Sequence, residues 1–297
     1  MNDAELGKAW LEALEHQRRL SAHTLANYSR AIDVLFKLKE KTDLRDVETQ
    51  QIRRFVARLH AAGLSGRTLA LTLSAWRGFY RWLSRQRGFS VNPVQGVRAP
   101  KSPRHLPKTL SVEQAQQLLD NPAADTPEAL RDRAMFELLY SSGLRLAELV
   151  SLNAEDGGLD LKQGQVTVTG KGAKTRTVPV GARAQDALRE WLKARALLAS
   201  PQERALFVGA RGRRIAPGTV QARLRAWSKR QGLGAAVHPH MLRHSFASHV
   251  LQSSQDLRAV QEMLGHASIS TTQIYTHLDF QALAKVYDAA HPRARKK

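Results

Sequence analysis

The sequence predicts a mainly helical protein with one small antiparallel β-sheet, arranged as two domains. Apolar residues recur at helical spacing over most of the 297 residues. One pair of short alternating segments, separated by a glycine-rich turn, is typical of a β-hairpin. A stretch rich in proline and basic residues divides the chain at residues 93–109. Together these patterns predict domains at 1–92 and 110–297 with a linker between them.

The predicted N-terminal domain consists of helices with aromatic residues on their apolar faces. Helices are expected at 22–39, at 50–60 and after Ser65, which is a suitable N-cap. In the third helix, Trp76 and Tyr80 lie on one apolar stripe, so we expect them in the core and not as a platform for stacked bases. The basic residues partly off that stripe, and available to phosphate groups, are Arg67, Arg77, Arg81 and Arg85.

The predicted linker combines prolines with basic residues. Proline prevents helix formation, and basic side chains disfavour packing into a core. An extended basic segment between two basic domains suggests a clamp around a DNA duplex. The prolines are Pro93, Pro100, Pro103 and Pro107, and the linker residues expected to contact DNA are Arg98 and Lys101.

The predicted C-terminal domain is mostly helical. Thr126 and Pro127 together are typical of a helix start, because threonine caps the helix and proline fits its first position. Residues 165–169 and 175–180 alternate as two strands, joined by a Gly-Lys-Gly-Ala-Lys turn at 170–174. The helices expected in this domain are at 111–119, 127–140, 184–198, 217–229, 239–253, 256–264 and 280–289.

The net charge indicates a polyanionic partner. Lysine and arginine number 46 and aspartate and glutamate 26, which gives a formal charge of +20 at pH 7. No acidic residue lies between Glu48 and Glu113, a stretch that contains twelve basic residues. A solvated surface or non-specific attraction to RNA would also explain these residues. The stretch spans helices and a linker, however, which favours contact with DNA.

The composition also narrows the class of protein. The chain contains no cysteine, which excludes disulfides and thiolate chemistry. It has no apolar run of the roughly 20 residues that a membrane-spanning helix needs. Its N-terminal segment carries acidic residues and lacks the apolar core of a signal peptide. We therefore expect a cytoplasmic protein.

The sequence lacks motifs for nucleotide or metal chemistry. The turn at 170–172 is too short for a phosphate-binding P-loop, and acidic residues are sparse near the other candidate residues. His240 and His244 have the spacing of zinc ligands on a helix, but Met241 stands where a metalloprotease motif needs glutamate. Cleavage of a phosphodiester without metal or cofactor requires a protein nucleophile and fixed cations.

Four separated segments could supply these groups. Arg145 lies after a helix end in Ser-Gly-Leu-Arg-Leu-Ala-Glu-Leu, and a later helix opens with His-Pro-His-Met-Leu-Arg-His, which places His240 and Arg243. Leu-Gly-His ends at His266, and Tyr275 follows nine residues later. In this order the segments resemble the arginine, His-x-x-Arg, Leu-Gly-His and tyrosine boxes of the tyrosine recombinases, the phage integrase family. The resemblance covers nearly the whole chain.

The resemblance implies a fold and a set of catalytic groups. The fold is a helical SAM-like core-binding domain followed by a mixed α/β catalytic domain. Arg145 and Arg243 would bind non-bridging oxygens of the scissile phosphate, and Tyr275 would attack phosphorus. His240 would accept the tyrosine proton or bind the phosphate. His266 would bind a phosphate oxygen, or else only cap a helix.

Two further roles leave an alternative open. Lys171, in the hairpin turn, matches the family's lysine and would protonate the departing 5′ oxygen. Lys174 is a competing candidate three residues on and could instead contact DNA. Glu148 would orient an active-site cation, or form only an ordinary helix ion pair with Arg145.

The implied reaction is a transesterification on double-stranded DNA without a cofactor. Tyr275 would form a 3′-phosphotyrosyl bond and release a 5′ hydroxyl, and a 5′ hydroxyl from a partner duplex would reverse the step. Two such exchanges pass through a Holliday junction. The resemblance also implies a tetramer with a second recombinase of the family and activation by a DNA translocase. An apolar stripe from Leu278 to Val286 would dock on a neighbouring subunit, or on its own domain.

Other functional classes share many of these features. A type IB topoisomerase uses nearly the same groups but relaxes supercoils as a monomer, without strand exchange between two sites. A non-catalytic DNA-binding protein would keep the fold and the charge, and its Tyr275→Phe variant would behave like the wild type. A phage integrase is a closer variant, but we find no arm-binding domain ahead of Leu11.

Overall fold

The computed structural model divides into two compact units, Met1–His105 and Leu106–Lys297, and each has its own hydrophobic core. In residues 17–18, 22–23 and 277–283 only the backbone is described. The described residues are 2–18, 20, 22–101, 109–120, 126–156, 158–170, 174–234, 236–265 and 277–294.

Unit 1 is helical and packs around a cluster of aromatic side chains. Trp76 and Tyr80 are fully buried, and both satisfy their polar atoms: Trp76 Nε1 donates to the Ala31 carbonyl at 2.7 Å and Tyr80 Oη to the Leu44 carbonyl at 3.1 Å. The prediction that the aromatic stripe lies in the core is therefore confirmed. The helices in the described part of unit 1 are α1 (Asp3–Arg18), α2 (Ala22–Lys39), α3 (Thr49–Ala61) and α4 (Gly66–Arg87).

The chain after α4 continues to pack against unit 1. Val94 and Val97 are buried in its core, and Arg77 Nη2 donates to the Val97 carbonyl at 3.0 Å. The first residues of the predicted linker thus belong to the packed part of this unit. Residues 102–108, which include Pro103 and Pro107, lie outside the described part of the chain.

Unit 2 combines helices with a small sheet around a larger core. Thr126 accepts a hydrogen bond at Oγ1 from the Ala129 amide at 3.3 Å, so the expected threonine cap opens the second helix of the unit. The helices described here are α5 (Val112–Asp120), α6 (Pro127–Ser142), α7 (Leu146–Ser151), α8 (Ala182–Arg195), α9 (Pro217–Arg230), α10 (Pro239–Ser254), α11 (Leu257–Leu264) and α12 (His277–Ala290).

The sheet of unit 2 presents one buried face to the helices. In the described residues it has the order β1-β2-β3, all antiparallel, formed by β1 (Leu159–Asp160), β2 (Gln165–Thr169) and β3 (Thr175–Pro179). Val168 pairs with Arg176 across β2 and β3, and both side chains are buried. An arginine on the core side of a strand needs a buried partner for its charge.

The prediction of a mainly helical fold with a small antiparallel sheet is confirmed. Three elements were missed: α1, α7 and β1. Both α7, with six residues, and β1, with two, are too short to show a hydrophobic period. None of the described helices combines the length and the apolar character of a membrane-crossing segment.

The C-terminal helix α12 packs on the unit to which it belongs. It lies against α10 and β3, and the Tyr287 hydroxyl is 2.6 Å from Ser141 Oγ in the buried interior. Val286, the last residue of the predicted docking stripe, packs against the same core. The side chains of Leu278, Phe280 and Leu283 lie outside the described residues.

A glycine between α6 and α7 places the following residues. Gly143 has a φ of +57°, a left-handed conformation that ends α6 and turns the chain so that α7 begins after Arg145. A Cβ atom at Gly143 would lie 2.5 Å from the Phe246 ring of α10. This close approach of the α6 end to α10 brings the two helix termini together.

We predict that Gly143→Ala destabilises unit 2 by about 3 kcal/mol, because it adds left-handed backbone strain to a clash with a packed ring. Gly232→Ala is the matched control: Gly232 has a φ of +70°, but the nearest atom to its Cβ is 3.9 Å away. The control should cost only about 1 kcal/mol. Urea unfolding of both variants checks this, and equal losses would contradict the importance of the Phe246 contact.

Candidate active site

Arg145 and Glu148 form the first part of the candidate site at the start of α7. Glu148 Oε2 accepts a hydrogen bond from the Arg145 backbone amide at 2.7 Å, and its Oε1 accepts one from Arg145 Nη1 at 2.9 Å. The Glu148 side chain is 3% exposed, whereas that of Arg145 is 37% exposed. The carboxylate therefore fixes a guanidinium that still reaches solvent.

A second arginine binds the same carboxylate from the sheet. Arg176 of β3 donates from Nη1 to Glu148 Oε1 at 2.6 Å and from Nη2 to Oε2 at 2.8 Å. Burial would raise the pKa of Glu148, but the hydrogen bonds from Arg176 and Arg145 outweigh it and lower that pKa to about 2. Removing one partner of such a buried pair typically costs about 3–5 kcal/mol, because the other charge is left uncompensated.

Arg243 completes the group from α10. It is 6% exposed, and it donates from Nη1 to the Gly143 carbonyl and from Nη2 to the Leu264 carbonyl. Burial, followed by the charges of Arg145 and Arg176, lowers the pKa of Arg243 to about 10. The guanidinium remains protonated at neutral pH although the positive charges of Arg145 and Arg176 are near it.

The three arginines share one further contact, the C-terminal end of α11. Arg176 Nε donates to the carbonyl of Met263, Arg243 Nη2 to that of Leu264 and Arg145 Nη2 to that of Gly265. The last carbonyls of a helix lack intrahelical donors and carry the negative end of the helix dipole. Three consecutive carbonyls thus hold three cations together.

His240 lies one helical turn before Arg243 on α10, and its side chain is exposed. Partial burial lowers the pKa of His240, and the nearby His238, Arg243 and Arg145 lower it further. A lowered pKa favours the neutral imidazole at pH 7, which can accept a proton. His238 has a structural task, because its side chain accepts a hydrogen bond from the Met241 amide as the N-cap of α10.

The predicted residues Lys171, His266 and Tyr275 lie outside the described residues. The structure does describe Gly170 and Gly265, the residues that directly precede Lys171 and His266. A Cβ atom at Gly170 would lie 3.5 Å from Glu148 Oε1 and 3.8 Å from Arg145 Nη1.

Gly265, at the end of α11, is held in a left-handed conformation against the Arg176 side chain. Gly170 and Gly265 thus both lie beside the arginine cluster, and they directly precede Lys171 and His266 in the chain.

Most of the predicted DNA contacts are exposed. Arg77 is half-buried and holds the Val97 carbonyl, and Lys174 is exposed where β3 begins, its carbonyl accepting from the Gly170 amide at 2.8 Å. Contact with DNA stays a prediction for all of these residues. Those exposed in unit 1 are Arg67, Arg81, Arg85, Arg98 and Lys101.

The zinc alternative finds no third ligand within the described ranges. No group of three or more histidine or acidic side chains there could hold a metal ion. Partial burial lowers the pKa of both His240 and His244, and the nearby charge of Arg243 lowers each pKa further. A divalent cation would add to the positive charge already at this position.

Arg176 is a residue of the cluster that the sequence motifs did not indicate. A signal was present, because Arg176 and Val178 stand two residues apart on the inward face of β3. An arginine on a buried face demands a carboxylate or carbonyl partner. Its partner, Glu148, is 28 residues earlier in the chain, and no local pattern connects the two.

Two models of protein families match most of the chain. Residues 108–282 match the phage integrase family, and residues 8–87 match the phage integrase N-terminal SAM-like domain. The chain is 54% identical to tyrosine recombinase XerC 1 of Ralstonia nicotianae, over 97% of this chain and 94% of that protein.

Solved structures resemble the fold. One is XerH site-specific recombinase bound to difH substrate in a pre-cleavage complex, with a TM-score of 0.68, 25% identity, and coverage of 97% of this chain and 84% of that chain. Another is a lambda integrase tetramer bound to a Holliday junction, with a TM-score of 0.66, 19% identity, and coverage of 90% and 80%.

Proposed function

Because the chain belongs to the phage integrase family of tyrosine recombinases, we propose that it recombines DNA at specific sites through a covalent 3′-phosphotyrosyl intermediate. The observation that carries this proposal is the pair Arg145 and Arg243. Two guanidiniums are held near each other at a helix end, and within the described part of the chain one buried carboxylate, Glu148, is among their partners. An excess of fixed positive charge at one point is suited to a phosphate.

The arginine pair stabilises the transition state. Arg145 and Arg243 donate to the non-bridging oxygens of the scissile phosphate, whose negative charge increases as phosphorus becomes pentacoordinate. Their positions are fixed before DNA binds, so no reorganisation is needed during the reaction. Each group of this kind typically lowers the activation free energy by about 3–4 kcal/mol.

Proton transfers accompany the exchange of ester bonds. Tyr275 attacks phosphorus as its phenol proton passes to His240, and His266 binds a phosphate oxygen. As the tyrosyl O–P bond forms, the P–O5′ bond breaks, and Lys171 donates a proton to the departing 5′ oxygen. The reverse reaction with a 5′ hydroxyl of the second duplex restores the DNA backbone and frees the tyrosine.

The partners follow from the charge and from the relatives. Double-stranded DNA is the substrate, which a formal charge of +20 and the exposed arginines of unit 1 favour. The assembly is a tetramer that passes through a Holliday junction.

The 54% identity to a tyrosine recombinase XerC 1 supports a finer proposal. The second recombinase is XerD-like, the DNA is a dif-type site, and the reaction resolves chromosome dimers in the cytoplasm. An FtsK-type translocase activates it.

We expect the wild-type protein to form a covalent adduct with a nicked suicide duplex that carries a dif-type site, in the presence of the XerD-like partner. Loss of the downstream fragment prevents religation, so the adduct accumulates. Tyr275→Phe lacks the nucleophilic oxygen and should give no adduct while it binds DNA as the wild type does. Denaturing gel electrophoresis and peptide mapping are the measurements. An adduct in the Phe variant would overturn the assignment.

A modified substrate separates the two candidate lysines. Lys171→Ala should slow cleavage of ordinary DNA by about 100-fold, the typical effect of a general acid. A substrate with sulfur in place of the bridging 5′ oxygen releases a thiolate, which needs no proton, and should restore the rate. Lys174→Ala is the matched control, with near wild-type rates on both substrates. The reverse pattern would move the general acid to Lys174.

A further inference from the structure

We infer that Arg176 is a positioning residue for the recombination reaction: it neutralises Glu148 and thereby leaves the charge of Arg145 available to the phosphate. This inference rests on the proposed function. It concerns a buried side chain whose three nitrogens all bind protein atoms.

Each of the three guanidinium nitrogens of Arg176 binds a protein atom. Its Nη1 and Nη2 bind both oxygens of Glu148, and its Nε binds the Met263 carbonyl at 2.8 Å. The residue is 7% exposed. Three of its five N–H donors are used within the protein, and its burial leaves little surface on which a phosphate could contact the others.

Each carboxylate oxygen of Glu148 accepts two hydrogen bonds. Its two oxygens accept from the Arg145 amide, from Arg145 Nη1 and from two nitrogens of Arg176. A carboxylate beside a phosphate site would repel the phosphate and cancel the nearest arginine. Because Arg176 compensates this carboxylate, Arg145 keeps both its fixed geometry and its effect on the anion.

Arg176 also ties together the elements that carry the proposed catalytic groups. It belongs to β3, which follows the turn with Lys171, and it binds α7 through Glu148 and the end of α11 through Met263. The segment after α11 leads to His266 and Tyr275. A shift of about 1 Å in such a frame can cost about 100-fold in rate.

Single-turnover cleavage of the nicked duplex at saturating protein tests the inference, with the dissociation constant for DNA measured in parallel. Arg176→Met should cleave about 100-fold more slowly, with DNA affinity changed by less than about threefold. Arg176→Lys should recover part of the rate, because it restores the charge but not the bidentate contact. An unchanged rate for Arg176→Met would overturn the inference.

A double variant distinguishes charge compensation from mere support of the fold. In the Arg176→Met background, Glu148→Gln removes the uncompensated charge while keeping an acceptor for the Arg145 amide. The double variant should therefore cleave about tenfold faster than Arg176→Met alone, a non-additive effect. A double variant that is as slow as Arg176→Met, or slower, would contradict the compensation.

Arg131→Met is the matched control for lost stability. Arg131 is 3% exposed, pairs with Asp132 and binds the Val208 carbonyl at 3.0 Å. The control should lower stability as Arg176→Met does and leave the cleavage rate of bound DNA unchanged. If the wild type itself formed no adduct, the proposed function would fail. A wild-type adduct with equal losses in both variants would contradict the role of Arg176 alone.

Discussion

Three guanidinium groups lie close together in unit 2, and the fold must offset their mutual repulsion. One buried carboxylate and three consecutive carbonyls at the end of α11 do so. Among the described residues the compensation is incomplete, since Glu148 supplies a single negative charge against three positive ones. The remaining positive charge is what a phosphodiester can bind, and a bound anion would offset the mutual repulsion of the three guanidiniums.

The cluster is assembled from segments that are far apart in the chain. Arg145 and Gly265 are 120 residues apart, and Arg243 and Gly143 are 100 residues apart. Gly143 makes this possible, because its left-handed turn lets the end of α6 approach Phe246 of α10. The contacts between helix ends that build the core thus also bring the three guanidiniums together.

Much of this arrangement could be predicted from the sequence. The long helices have clear caps and apolar periods, and the residues Arg145, His240 and Arg243 stand in recognisable motifs. The short helix α7 and the partner of the buried Arg176 could not be predicted. Six residues show no period, and a buried ion pair between β3 and α7 depends on tertiary contacts that no local pattern encodes.

In the proposed reaction, one phosphate binds between two guanidiniums and in line with a phenol. A crystal structure of the protein with a nicked duplex and vanadate, which mimics pentacoordinate phosphorus, tests it directly. We expect Arg145 and Arg243 to donate to the equatorial vanadate oxygens, with Tyr275 Oη at an apical position. A vanadate bound by the arginines with the Tyr275 hydroxyl remote from it in every subunit would contradict the proposed reaction.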